Sequence, residues 1–304
     1  MLKASLRPGV VVAGLVAVLV FDLVVGGILG AILGTTIFAN RGATPSASAQ
    51  HTTTVPPLTT VTIPQGQELF EPFILVVQPN TTVTWQNNDT IAHTIETTSD
   101  QTPFLNLHAF SLKVAAGQRV QFKLIEPGLY HYYDPKMATW NAADGRVAAN
   151  KSMPNYPLAM DGVIWVKGAI SNLPSATTNR IPPKHDDFQT EFLAINPGSV
   201  SWHNFDTDPH FLALVPGWSD VDDQPQAVIN PADIGINRIA GTDDVPGGDT
   251  IAVIFSKPGL YYYYCPNHAH IDAATHRAEA FKLASEYPIP MEGFILVTDG
   301  SPSV

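Results

Sequence analysis

Residues 261–272, YYYYCPNHAHID, hold the only cysteine of the chain, Cys265, behind four tyrosines and ahead of His268 and His270. A thiol without a partner in its own chain forms no internal disulfide, which leaves a free thiol or a metal ligand. Two distant side chains favour the metal. His210 ends the stretch NFDTDPH at a strand end, and Met291 opens MEGFILV, the last apolar run. Together they offer two imidazoles, a thiolate and a thioether. A His₂Cys set with a weak axial methionine suits copper and one-electron exchange. The second imidazole stays open between His268 and His270, because either can fold back after Pro266.

The elements that must position these residues come in two copies. VTWQNNDTIAH matches VSWHNFDTDPH, so that Trp85 and His93 correspond to Trp202 and His210 at an offset of 117. Further on, EPGLYHYYDP matches KPGLYYYYCP and YPLAMDGVIWV matches YPIPMEGFILV, both at an offset of 131. The second copy therefore carries 14 extra residues between its histidine and its Pro-Gly, in the acidic stretch around Trp218 to Gly248. A duplication of this length predicts two domains of like fold. In the first copy Asp134 stands where Cys265 stands and Met137 where His268 stands, while His93 and Met160 persist. Without a thiolate, that copy reads as a copper-free structural or docking domain. A hard-ligand site from Asp134, His93 and either His131 or His108 is the alternative.

Short β-branched and aromatic runs such as TVTWQN, RVQFKLI and TIAVIFS alternate with Pro-Gly, Asn-Asp and Gly-Gly turns, which argues for an all-β protein of antiparallel sandwiches. One segment departs from this pattern. The Ala, Glu, Lys and Leu content of 271–286 predicts a helix inserted between strands, with His276 on its surface. In a strand, Tyr261 and Tyr263 share a face with Cys265, while Tyr262 and Tyr264 take the other. Most of them fill core, and Tyr264 is a candidate electron route to the surface.

Residues Gly9 to Phe38 are almost uninterrupted apolar, longer than the roughly 20 residues a membrane helix needs. Lys3 and Arg7 precede them, which places the N-terminus inside and the rest outside the cytoplasm. A cleaved signal peptide is the rival reading, through Ala47-Ser48-Ala49, but signal cores run only about 7–15 residues. Gly26, Gly30 and Gly34 line one face of this helix, and Asp22 sits near its middle; both features suggest a partner within the membrane. The expected organisation is an anchor at 1–40, a Thr/Ser/Pro stalk at 41–65, one domain at 66–168, a linker at 169–185 and a second domain at 186–299. With 16 basic against 27 acidic residues, a net charge of −11 argues against nucleic acid and for a basic partner or simple solubility. SDVDDQ, 219–224, is a solvated loop or a docking patch.

In NFDTDPH, KPGLYYYYCPNH and MEGFILV the chain resembles the cupredoxins, or blue (type 1) copper proteins of the plastocyanin and amicyanin type. The resemblance covers both soluble segments, and it is specific in the second copy. It implies two tandem Greek-key β-sandwiches and one copper held by His210, Cys265, a following histidine and Met291; with the apolar run at 9–38 as anchor, the expected function is a membrane-tethered carrier of single electrons. His268 at Cys-x₂-His and His270 at Cys-x₄-His both fit spacings found in the family. One departure is that the 271–286 segment intervenes between histidine and methionine, which follow closely in the simple carriers. The implied partner is a basic redox protein such as a cytochrome c or an oxidase, at the periplasmic or extracellular face. Two rivals remain: a two-domain copper enzyme resembling nitrite reductases or small laccases, and a copper-binding scaffold subunit of a membrane oxidase or oxygenase. The dinuclear copper site of oxidase subunits needs a second cysteine.

Overall fold

The computed structural model describes residues 58–100, 102–215, 244–245 and 250–299. Among them there are strands and turns and no helix, hence no helix able to cross a membrane. The first copy contributes β1 (Thr60–Ile63), β2 (Ile74–Val77), β3 (Thr81–Asn87), β4 (His93–Thr97) and β5 (Ser111–Val114). It continues with β6 (Arg119–Leu124), β7 (Gly128–Tyr133), β8 (Ala138–Asn141), β9 (Arg146–Ala149) and β10 (Asp161–Val166). The second contributes β11 (Ala176–Ile181), β12 (Phe192–Ile195), β13 (Gly198–Asn204), β14 (His210–Phe211), β15 (Ala213–Leu214) and β16 (Asp244–Val245). Its remaining strands are β17 (Thr250–Phe255), β18 (Gly259–Tyr264), β19 (Ala269–Ile271), β20 (Ala278–Ala280) and β21 (Glu292–Val297).

Each copy is a sandwich of two sheets. The first stacks β1-β3-β6 on β2-β10-β7-β4-β5, and the second stacks β11-β13-β17 on β12-β21-β18-β15. In β3, TTVTWQN alternates so that Val83, Trp85 and Asn87 are buried and the residues between them are not, as a strand with one face on a core requires. Val61, Trp85 and Leu124 of one sheet meet Leu75, Tyr130 and Ile164 of the other. Ile181, Trp202 and Phe255 likewise meet Ile195, Tyr263 and Ile295.

The tyrosine-rich strands do not alternate in burial, because both of their faces are covered. Tyr261, Tyr263 and Cys265 point into their own sandwich. Tyr262 points the other way, into a third core shared by both copies with Phe73, Val163, Phe192 and Phe294. Its ring stacks on Phe294 at 4.6 Å, and Phe294 stacks on Phe192 at 4.9 Å. Gly293 is required here, since a Cβ at that position would lie 2.5 Å from the hydroxyl of Tyr263 on the facing strand.

The interface between the copies is self-complementary. Arg146 donates to the Glu292 carbonyl at 2.8 Å and Arg277 donates to the Ala159 carbonyl at 2.8 Å, so each copy sends the same arginine into the other. Tyr156 and Tyr287, also equivalent, touch ring to ring at 5.6 Å. Contacts between equivalent residues mark a two-fold, isologous interface within one chain. It is rich in buried charge. Arg277 pairs with Asp161 at 2.5 Å, while burial and the nearby Glu191 push the Glu292 carboxyl up to about 8.

Three expectations need correction. The 271–286 segment is not a helix: β19 and β20 form a hairpin, and Asp272 Oδ1 closes its turn by accepting the N–H groups of Ala274 and Thr275. Local hydrogen bonding and cross-strand burial of Ala269, Ala278 and Ala280 override a weak helical propensity. The stalk gives way at Thr60 rather than at 65, because TVTI alternates in burial and pairs with β3. The linker likewise contains β11, six residues paired with β13. The apolar segment 9–38, with Asp22 and the three glycines, and the acidic stretch SDVDDQ lie outside the described residues.

Candidate metal centre

Cys265 follows β18 directly. Its N–H donates to the Met291 carbonyl at 2.9 Å, which ties the thiol strand to the start of β21. Its own carbonyl accepts the N–H groups of His268 and Ala269 at 3.1 and 3.0 Å, a tight turn that brings His268 back over the sulfur. His268 Nδ1 then lies 3.4 Å from Cys265 Sγ. His210 enters from β14, its ring 4.7 Å from that of His268, and the next residue, Phe211, donates its N–H to the sulfur at 3.3 Å. One ligand atom from each of His210, Cys265 and His268 lies within 4.8 Å of the others.

His210, Cys265 and Met291 are fully buried, and the His268 side chain is 14% exposed. Met291 packs in the same core cluster as Cys265. His270 is not part of the group: it sits exposed on β19, opposite Glu279, with its ring stacked on Phe281 at 5.3 Å. His276 lies in the hairpin turn with φ 55°.

Burial dominates the electrostatics. It pushes the Cys265 thiol up, against the N–H groups of Phe211, Asn267 and His268, which favour thiolate. It also holds His210 below the usual imidazole range, and neighbouring His268 adds to this while Asp206 opposes it. Asp206 itself is lowered despite burial, through the N–H groups of Lys184 and Thr207 and the bond to His210. His210 Nδ1 is buried and has no hydrogen-bond partner, a costly state for an imidazole nitrogen unless a ligand takes its lone pair. A bare Nδ1, a buried thiol and a second Nδ1 beside it fit a soft or borderline cation such as copper. Asp206 and Asp186 contact the opposite nitrogens, at 3.2 Å from His210 Nε2 and 3.2 Å from His268 Nε2.

The equivalent place in the first sandwich is filled differently. His93 Nδ1 meets Asp134 Oδ2 at 2.8 Å and His93 Nε2 meets Asp89 Oδ2 at 3.2 Å, a buried acid–imidazole–acid chain that joins the start of β4 to the residue after β7. These bonds raise His93 above the usual imidazole range although burial opposes them. Met137 and Met160 are buried in the same core. His131 turns to the interface, 3.0 Å from Asp161, and exposed His108 contacts only the Leu107 carbonyl among the bonds seen. Among the described residues, this sandwich brings no three His, Cys, Asp or Glu side chains into metal-binding proximity.

Sequence reasoning passed over Asp206 and Asp186. The first had a signal: an aspartate stands four residues before the histidine in both copies, as Asp89 and Asp206. Asp186 had none, because it arrives from the loop between β11 and β12.

No protein-family model and no curated protein matches the chain. Solved structures similar to it include cupredoxins. A purple cupredoxin from Nitrosopumilus maritimus shares 22% identity over 36% of this chain and 99% of its own, with a TM-score of 0.25. The Cu(I) form of an amicyanin methionine-to-alanine mutant shares 21% over 36% of this chain and 80% of its own, at a TM-score of 0.24. A reduced tryptophan-to-tyrosine mutant of amicyanin shares 19% over 37% and 85%, at 0.25.

Proposed function

We propose that this chain is a membrane-tethered cupredoxin that binds one type 1 copper in its second sandwich and passes single electrons on the extracytoplasmic face. The observation that carries the reading is the convergence of Cys265 Sγ with His268 Nδ1 beside His210, whose Nδ1 is buried without a partner. His210, Cys265 and His268 would hold the metal, with the Met291 thioether as a fourth, weaker donor. Bound copper would supply one-electron exchange between Cu(II) and Cu(I). The chain's own part is to hold the donors still. Cys265 is fixed by the Met291 carbonyl and the Phe211 N–H, and its strand is packed on both faces, so water is excluded and little has to move when charge changes. In the first sandwich the Asp134–His93 pair fills the equivalent place, which supports a structural or docking role there. Tethering rests on the apolar run 9–38, and a basic redox partner on the net charge of −11.

The deciding measurement is the visible and EPR spectrum of the copper-loaded protein together with the copper count per chain. One copper with an intense thiolate charge-transfer band, lost in Cys265→Ser with the β fold kept, is the expected result. Additional copper without such a band would favour the copper-enzyme reading instead.

A further inference from the structure

Each carboxylate behind the two imidazoles uses its two oxygens differently. Asp206 Oδ2 lies 3.2 Å from His210 Nε2, while Oδ1 accepts the N–H groups of Lys184 at 3.0 Å and Thr207 at 2.8 Å. Asp186 Oδ1 stands 3.2 Å from His268 Nε2 as an ion-pair contact, while Oδ2 accepts the Ser285 N–H at 2.6 Å. We propose that Asp206 and Asp186 are positioning residues that set the tautomer of the two histidines. Each keeps the proton on Nε2 and so leaves Nδ1 bare on the side facing Cys265. The consequence for metal binding rests on the copper reading above, whereas the tautomer itself does not.

Donors and acceptors decide the tautomer. An ionised carboxylate only accepts, and a neutral imidazole carries one N–H, so the nitrogen facing the carboxylate must hold the proton. The other nitrogen is then a lone pair. This matches the geometry, since His210 Nδ1 is buried without any partner and His268 Nδ1 is directed at the sulfur. The opposite tautomer would place an N–H where a ligand must donate electrons.

The first sandwich separates the two latches. Asp89 holds His93 Nε2 at 3.2 Å just as Asp206 holds His210, so this contact belongs to the loop both copies share. By strand register Ile74 corresponds to Phe192, which puts Glu68 at the place of Asp186. The Met137 side chain there has no N–H to hold, and a buried Glu68 oxygen is left without a partner. The second latch therefore works only where His268 is present. The segment after β20 takes part in it, because the Ser285 N–H holds Asp186, whose other oxygen stands at ion-pair distance from His268 Nε2.

Aspartate-to-asparagine variants test this directly. In Asp206→Asn the backbone N–H groups of Lys184 and Thr207 hold the amide oxygen, so the NH₂ group is turned toward His210 Nε2. That nitrogen must then accept, and the proton moves to Nδ1. Asp186→Asn does the same to His268 and provides a second variant on a more exposed loop. Nitrogen-15 NMR of the metal-free full chain should show Nε2–H at both histidines in the wild type, and Nδ1–H at the matched histidine alone in each variant. Copper affinity should fall by about 10–100-fold in each. Nδ1–H tautomers in the wild type, or unchanged tautomers and affinity in both variants, would overturn the proposal. If the tautomers behave as expected but the wild type takes up no copper, the copper reading fails and the positioning assignment stands.

Discussion

Asp134 occupies in the first sandwich the place that Cys265 takes in the second. The Asp134 N–H donates to the Met160 carbonyl at 3.0 Å, as the Cys265 N–H does to Met291 at 2.9 Å. Asp134 Oδ2 accepts the Thr94 N–H at 3.2 Å, as Cys265 Sγ accepts the N–H of its counterpart Phe211 at 3.3 Å. One backbone scaffold thus presents a carboxylate to a histidine in one copy and a thiol to two histidines in the other.

The first expectation concerns pH. His93 is raised in the fold because Asp134 and Asp89 bind both of its nitrogens, more than offsetting burial. A folded pKa above the unfolded value of about 6.5 gives stability that is complete below that pH and is lost as pH rises through the folded pKa. Metal-free wild type should therefore lose stability to urea above about pH 6.5 more steeply than Asp134→Asn, in which the main partner is gone. Parallel stability–pH curves for the two proteins would contradict the ion-pair account.

The ligand turn makes a second expectation. His268 lies over the sulfur and His270 stacks on Phe281, so His268→Ala should abolish the thiolate charge-transfer band and His270→Ala should leave it. Met291→Leu should keep copper and raise the reduction potential, since the thioether it removes would favour Cu(II). A band that survives His268→Ala, or a potential untouched by Met291→Leu, would assign those roles elsewhere.

The interface gives a third. Arg277 is buried, pairs with Asp161 at 2.5 Å and lies over the Phe73 ring at 3.9 Å. Removing it leaves a buried carboxylate without its cation, which costs about 3–5 kcal/mol. In chemical denaturation, Arg277→Ala should show that loss, and Arg277→Ala with Asp161→Ala should lose less than the sum of the single changes. Additive losses would mean that the pair is not coupled.

Much of this was legible in the sequence, for identifiable reasons. The offset of 131 placed Cys265 opposite Asp134 and His268 opposite Met137, and strand register gives the same correspondence, since Tyr133 pairs with Asp161 as Tyr264 pairs with Glu292. The alternation of Tyr261, Tyr263 and Cys265 against Tyr262 followed from strand geometry alone. What covers Tyr262 did not, because a second sandwich leaves no local signal in a run that is apolar on both sides. The mistaken helix at 271–286 came from composition, yet the repeat held the correction. Its counterpart TWNAADGRVAA carries an Asp144-Gly145 turn between two short strands and has the same length. Asp186 was beyond reach, since a loop residue that returns to a site from a distance of 82 positions shows no periodicity.

The last expectation tests whether the first sandwich has kept the geometry of a site whose ligands it lacks. His93 and Met160 remain, and Asp134 and Met137 stand at the positions of Cys265 and His268 on an equivalent turn, where the Asp134 carbonyl accepts the N–H groups of Met137 at 3.0 Å and Ala138 at 2.9 Å. Asp89 already holds His93 Nε2, so once Asp134 is removed the Nδ1 nitrogen of His93 is free to face the introduced sulfur. Asp134→Cys with Met137→His should therefore create a second His₂Cys copper site. It should bind more weakly than the native one, because the core around this place is packed against Met137 and has adapted to Asp134 rather than to a thiol and an imidazole. The double variant should take up about two coppers per chain, as the added ligand set requires, and should retain one thiolate band after Cys265→Ser. A folded double variant that gains no copper at any loading would show that the two copies share their strands and their turn but not the spacing of the donor atoms.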